Sequence, residues 1–233
     1  IDVGKFWTEV TEYSRENKID PTLSYMLLLE NRMYEAGLEI STGTFLNYGK
    51  QLKLFNGVNE WFKRITLYGL ENQVDIEHYI ISSGLTDMIK GCSFYKEINK
   101  IYACEYIYKN NRGYWPKLSV NYSNKVQYLY RIHKGAFEVS DQDGVNQKKY
   151  FGDYIHVPFE NMVFFGDGET DVPTFNVLNK NNGKSICVYE NENIKSIDIA
   201  NKLFSDGRVH HVVKNDYREN SEIDKLIKNI IKA

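Results

Sequence analysis

The sequence predicts an α/β protein, a Rossmann-like parallel sheet with helices on both faces, preceded by a purely helical stretch. Three observations carry this expectation. From about residue 57 onward, apolar runs of strand length alternate with amphipathic helical patterns. The later strand runs, such as "NMVFF" and "SICVY", are apolar at consecutive positions, as in strands buried on both faces. Residues 5–55 show three- and four-residue apolar spacing with no strand pattern between.

The elements follow in order. "FWTEVTEYSREN", "PTLSYMLLLENRMYEAG" and "STGTFLNYGKQLKLF" read as helices, with Pro21 in a first turn and Ser41 or Thr42 as an N-cap. "GVNEWFKRITLYGLEN" places Val58, Trp61, Phe62 and Ile65 on one helical face, and "HYIISSG" follows as a strand ending in small residues. "KIYACEYIY", residues 100–108, is a strand, and a turn at Asn111 to Gly113 leads into "WPKLSVNY". "SNKVQYLYRIHKG" is a helix with Ser123 as N-cap and Gly135 just past its end. Strand "NMVFFGDG", helix "VPTFNVLNKNNG", strand "SICVYE", helix "IKSIDIANKLFSDG", strand "VHHVV" and helix "SEIDKLIKNIIKA" complete the chain. Residues 138–157 are polar and weakly periodic, and read as a surface connection.

Composition narrows the function classes. The 233 residues are 42% hydrophobic and 26% charged with a net charge of -2, which suits one large domain, or a core with a smaller insert. That balance gives no polyanion-binding surface, so nucleic acid is not an expected partner. The three cysteines are odd in number, without C-x-x-C spacing, which fits a reducing, cytoplasmic setting. No apolar run reaches the roughly 18 residues of a membrane span, and no signal-peptide pattern opens the chain, so no membrane association is expected. Oligomeric state is not readable.

The chemistry concentrates in "FFGDGETDVP". Asp167, Glu169 and Asp171 follow directly on an apolar strand, and carboxylates so close together repel one another unless a cation sits among them. G-D-G is also ordinary turn chemistry, but the strand before it and the Val-Pro helix start after it make this a loop at a sheet's edge. Ligands of open α/β sheets bind beyond the carboxyl ends of the strands. Ser82, Ser83 and Gly84 after "YII", and the start of the helix carrying Lys125, would deliver polar groups to such a place. A hydroxyl, backbone amides, an ammonium and carboxylates are what a phosphoryl group with Mg2+ requires.

These residues, in this order, resemble the haloacid dehalogenase superfamily, and within it the phosphoserine-phosphatase-like phosphatases, over about residues 55–233. The resemblance implies a Mg2+-dependent phosphatase that hydrolyses a small phosphate monoester through an aspartyl phosphate. It gives Ser82, with Ser83 and Gly84, the phosphoryl oxygens, and Lys125 the phosphate charge. It makes Asp167 a Mg2+ ligand and lets Asp171 complete the metal site or orient Lys125, while Glu169 points outward. Lys117 and Lys134 compete with Lys125, which is preferred because a helix start also supplies backbone donors. Residues 1–53 resemble an α-helical cap, and 54–233 the core.

The resemblance also requires D-x-D-x-T/V at the end of a first strand, supplying nucleophile and acid. Asp20 in "KIDPTL" has Lys18 in the nucleophile's place and no strand before it; Asp2 fails likewise. The motif is read as absent from these 233 residues, and its strand is therefore expected upstream of Ile1, in a segment of roughly 15 to 40 residues. A non-catalytic relative that has lost the motif is the alternative. The pair His210–His211 is read as structural, because neighbours on a strand face opposite ways. Cys104 is read as core.

Overall fold

In the computed structural model, residues 2–110, 112–146 and 155–233 are described. The chain divides into two units: residues 1–53 with 79–121, and residues 54–78 with 122–233. The units change between residues 53 and 54, and the stretch 79–121 groups with the N-terminal helices.

The first unit opens with α1 (Val3–Asn17), α2 (Pro21–Glu35) and α3 (Thr42–Lys50). Each starts on a side-chain cap: Asp2, Asp20 and Ser41 accept backbone N–H groups of their first turns. Three strands follow, β1 (Tyr79–Leu85), β2 (Lys100–Lys109) and β3 (Arg112–Leu118), with α4 (Val58–Glu71) preceding them in the other unit and α5 (Thr86–Gly91) between β1 and β2. β1 and β2 pair in parallel, whereas β3 returns antiparallel to β2, so this sheet is mixed and not wholly parallel. The reason is local: so short a turn can only form a hairpin, because a parallel return needs a crossover. Asn111 of the expected turn lies outside the described residues.

Specific contacts tie 79–121 to the helices. α3 and α5 cross backbone to backbone, since a Cβ on Gly49 would stand 1.9 Å from the Met88 carbonyl oxygen and one on Gly91 would stand 2.2 Å from that of Leu46. Tyr106 Oη on β2 donates to the Met26 carbonyl of α2 at 2.5 Å. The buried Glu30 carboxylate receives the Arg112 guanidinium in a two-point pair at 2.5 and 2.9 Å.

The second unit holds the parallel sheet, ordered β4 (Val163–Gly166), β5 (Lys184–Tyr189), β6 (His211–Lys214). α6 (Lys125–Lys134), α7 (Gln142–Asn146), α8 (Val172–Lys180), α9 (Ile194–Ser205) and α10 (Glu222–Lys232) complete it. Successive residues of β5 serve opposite faces. Ile186 and Val188 pack with Trp61 and Ile65 of α4 and Ile223 and Ile227 of α10. Cys187 packs with Phe175 of α8 and Ala200 and Leu203 of α9. Helices therefore cover both faces, which is why this strand is apolar without alternation. Each fully buried isoleucine or phenylalanine contributes about 1.5–3 kcal/mol to holding these layers together.

Two expectations change here. The N-cap position of α6 is Asn124 and not Ser123, so Lys125 is the first residue of the helix. The connection 138–157 contains the short helix α7, and its residues 147–154 lie outside the described residues.

Candidate functional site

At the carboxyl end of β4 the chain turns through Asp167 and Gly168 into α8. Asp171 caps the start of that helix in position, though its side chain makes no cap bond. Asp171 is 3% exposed, and its carboxylate points back into the turn. Oδ2 accepts the Asp167 backbone N–H at 3.0 Å. Oδ1 receives Lys125 Nζ at 2.7 Å. The carboxylate also lies at the positive end of the α8 dipole, which favours its charge. Lys125 gains from the pairing for the opposite reason: an ammonium in the first turn of α6 opposes that helix's dipole, and Asp171 offsets the cost.

Gly166 makes the geometry possible. A Cβ there would stand 2.6 Å from Asp171 Oδ2 and 2.5 Å from the Phe175 ring, so only glycine lets the carboxylate fold under the strand end. At Gly168 nothing lies within 4 Å of such a carbon. The two glycines of the G-D-G run thus differ: the first is required by packing and the second is not.

Asp167 differs from its neighbour. Burial of its surroundings, and next the like charge of Asp171, raise its carboxyl above the usual range, against the pull of Lys125. Its side chain nevertheless reaches solvent, so water screens both effects. The same negative charge reaches other groups. Burial, followed by the charges of Asp167 and Asp171, pushes the Cys187 thiol to about 11. Burial and then Asp167 push the Tyr217 phenol to about 12. The strand end therefore gathers two carboxylates, with the Lys125 ammonium paired to one of them.

This donor set is compatible with a hard divalent cation. Asp167 offers accessible carboxylate oxygens, and Mg2+ is commonly held by one or two carboxylates together with water and substrate phosphate. Among the described residues no group of three or more His, Cys, Asp or Glu side chains is arranged to hold a metal by itself.

The other lysines have different partners. Lys117 pairs with Glu105 at 2.6 Å, and Lys134 donates to the Val145 carbonyl. Glu169 is exposed and faces Lys202 at 3.5 Å. Ser82, Ser83 and Gly84 belong to the first unit, where Gly84 N–H donates to Ser82 Oγ at 3.0 Å. His210 is structural: its Nδ1 lies 3.0 Å from the buried Ser185 hydroxyl. Cys104 is wholly buried on β2.

The two rejected carboxylates, Asp2 and Asp20, are helix caps. A further run does spell D-x-D-x-V: Asp141, Gln142, Asp143, Gly144, Val145. The expectation that the chain lacks this spelling is corrected: the run is present, at the start of α7 and not at a strand end. There Asp141 Oδ1 accepts the Gly144 N–H at 2.8 Å, and the buried Arg131 guanidinium donates to the carbonyls of Glu138, Val139 and Asp141. No described strand ends on this motif.

Fold and site together define an α/β protein whose parallel sheet carries a buried lysine–aspartate pair and an accessible carboxylate at its carboxyl end. No family model matches the chain. It is 28% identical over 251 residues to an uncharacterized protein of Borreliella burgdorferi, covering 96% of this chain and 85% of that protein. It is also similar to the crystal structure of a HAD family hydrolase from Salmonella enterica serovar Typhi, with 17% identity and a TM-score of 0.44. That match covers 95% of this chain, and the chain spans 65% of the solved structure's length. No described helix is long and apolar enough to cross a membrane.

Proposed function

We propose that the protein is a Mg2+-dependent phosphatase acting on a small phosphate monoester, the reaction implied by its resemblance to the haloacid dehalogenase phosphatases. The observation that carries this reading is the Lys125–Asp171 pair beside Asp167. Phosphoryl transfer asks for positioned opposite charge more than for covalent chemistry, and this arrangement supplies it. Asp171 holds the Lys125 ammonium in place, so that it can offset charge on a phosphoryl oxygen without reorganising. Asp167 would hold Mg2+, which when bound neutralises the phosphate and draws it into line. Ser82, with Ser83 and Gly84, would bind a phosphoryl oxygen. The nucleophile and acid would be a carboxylate pair, one of which forms the aspartyl phosphate while the other protonates the leaving oxygen.

A second reading rests on the motif: no described strand ends on D-x-D-x-T/V. A non-catalytic relative would keep the phosphate and metal contacts and hydrolyse nothing. Hydrolysis of p-nitrophenyl phosphate by the purified protein, with Mg2+ and with chelator, separates the two. Mg2+-dependent turnover supports the phosphatase. A folded protein that binds Mg2+ and phosphate without turnover, on this and a panel of other monoesters, supports the second reading.

A further inference from the structure

Ser82, Ser83 and Gly84, expected at a strand end, lie inside β1 at a break in the β1–β2 ladder. Ile81 pairs with Tyr102 and Leu85 with Cys104, so Ser82, Ser83 and Gly84 stand opposite Ala103 alone. Extra residues in one strand leave backbone groups without ladder partners, and such bulges re-aim the side chains on them. Here one peptide unit, the Ser83 carbonyl joined to the Gly84 amide, is gripped at both ends. Its N–H donates to Ser82 Oγ at 3.0 Å. Its carbonyl accepts Tyr25 Oη at 2.8 Å, from a residue 58 positions earlier on α2. Tyr25 is buried, and the Trp7 ring of α1 packs against it at 5.7 Å between centroids. Burial holds the phenol above its usual range, so it stays a donor at every physiological pH.

We propose that Tyr25 is a positioning residue for the Ser82 hydroxyl, acting through the Ser83–Gly84 peptide. This rests on the reading that Ser82 binds a phosphoryl oxygen. The Gly84 N–H takes a lone pair of Ser82 Oγ, which leaves the hydroxyl proton free to donate to an anion. By fixing the peptide plane, Tyr25 fixes the direction of that donor. By polarising the carbonyl, it strengthens the amide as a donor and hence the hydroxyl beyond it, since hydrogen bonds in a chain reinforce one another. A helix of the N-terminal stretch thereby sets the geometry of a bulge within β1, in the same unit.

The test titrates inorganic phosphate, with Mg2+ present, into 15N-labelled protein and follows the Ser83 and Gly84 amide resonances, at a temperature where every variant is folded. Ser82→Ala is expected to lose phosphate affinity about tenfold, and Tyr25→Phe about fivefold to tenfold, the loss of roughly one hydrogen bond. Trp7→Leu controls for mere packing: it lowers Tm and leaves affinity within about twofold, because it keeps the phenol's bond. Tyr25→Phe binding like the wild type, beside a weakened Ser82→Ala, overturns the role of Tyr25 and leaves the phosphoryl role of Ser82 standing. Wild-type protein whose Ser83 and Gly84 resonances ignore phosphate overturns both. If Tyr25→Phe does not fold, Tyr25→His is the second variant: affinity near wild type on restoring a donor supports the proposal, and a loss matching Ser82→Ala overturns it.

Discussion

Asp171 uses both carboxylate oxygens on its own protein, one on Lys125 and one on the Asp167 amide. Removing one member of a buried pair strands the other, and that outweighs the small net value of the pair itself. Lys125→Met is therefore expected to destabilise the protein by about 3–5 kcal/mol in denaturant unfolding, more than any surface lysine replacement. Asp167 gives a prediction of opposite sign. Its folded-state carboxyl lies above the ordinary value of 3.8, so the folded protein holds this proton more tightly than the unfolded chain does. The ionised side chain thus opposes folding, increasingly as pH rises from 3.8 through the raised value. Asp167→Asn should raise Tm at pH 7 in chelator, and the gain should vanish near pH 3. Mg2+ should raise the Tm of the wild type and not that of Asp167→Asn; equal responses to Mg2+ would remove Asp167 from the metal's ligands.

Between elements, the crossing of α3 and α5 depends on two glycines with no room for a methyl group. Alanine at Gly49 gains up to about 1 kcal/mol of helix propensity but drives a carbon onto the Met88 carbonyl. Overpacking costs about 1–3 kcal/mol where neighbours can shift, and backbone shifts less readily than side chains. Gly49→Ala is accordingly expected to lower stability, read as a reduced denaturant midpoint with an unchanged slope. Gly168→Ala, with nothing within 4 Å, should leave the midpoint where it is. β3 teaches the related lesson about direction. Its residues do not encode antiparallel pairing by themselves; the shortness of the connection to β2 does.

For the molecule as a whole, the acid limb of stability should follow Asp224. This wholly buried carboxylate on α10 is bound by Arg64 of α4 at 3.1 Å, Lys228 at 2.8 Å and the Asn220 amide at 3.0 Å. Burial alone would raise its carboxyl, but Lys228, the amide and Arg64 outweigh burial and hold it below the ordinary range. A depressed folded value means stability that is complete above 3.8 and is lost as pH falls through the lowered value. Asp224→Asn should cost about 1.5–3 kcal/mol at pH 7 and flatten the decline below pH 4, measured as Tm against pH. An unchanged acid limb would place the acid sensitivity in other carboxylates.

Helix and strand placement was legible because apolar spacing and caps are local: Pro21, Ser41 and the Val172–Pro173 start all stand where sequence puts them. The continuous apolar character of "SICVY" likewise announced a strand covered on both faces. The site was legible only in part. "GDGETDVP" marked an acidic strand end, but no local pattern encodes the contact of Lys125 with Asp171, which forms between α6 and the start of α8. Local spelling also misleads, since Asp141 to Val145 matches a catalytic pattern and folds as a capped helix start. Residues a few positions apart were enough to place the elements, their class and the acidic motif. Tertiary structure alone decided which sheet each strand joins, that Gly166 admits the Asp171 carboxylate, and that Tyr25 reaches Ser83. Those outcomes depend on distances between segments remote in the chain, which no local periodicity encodes.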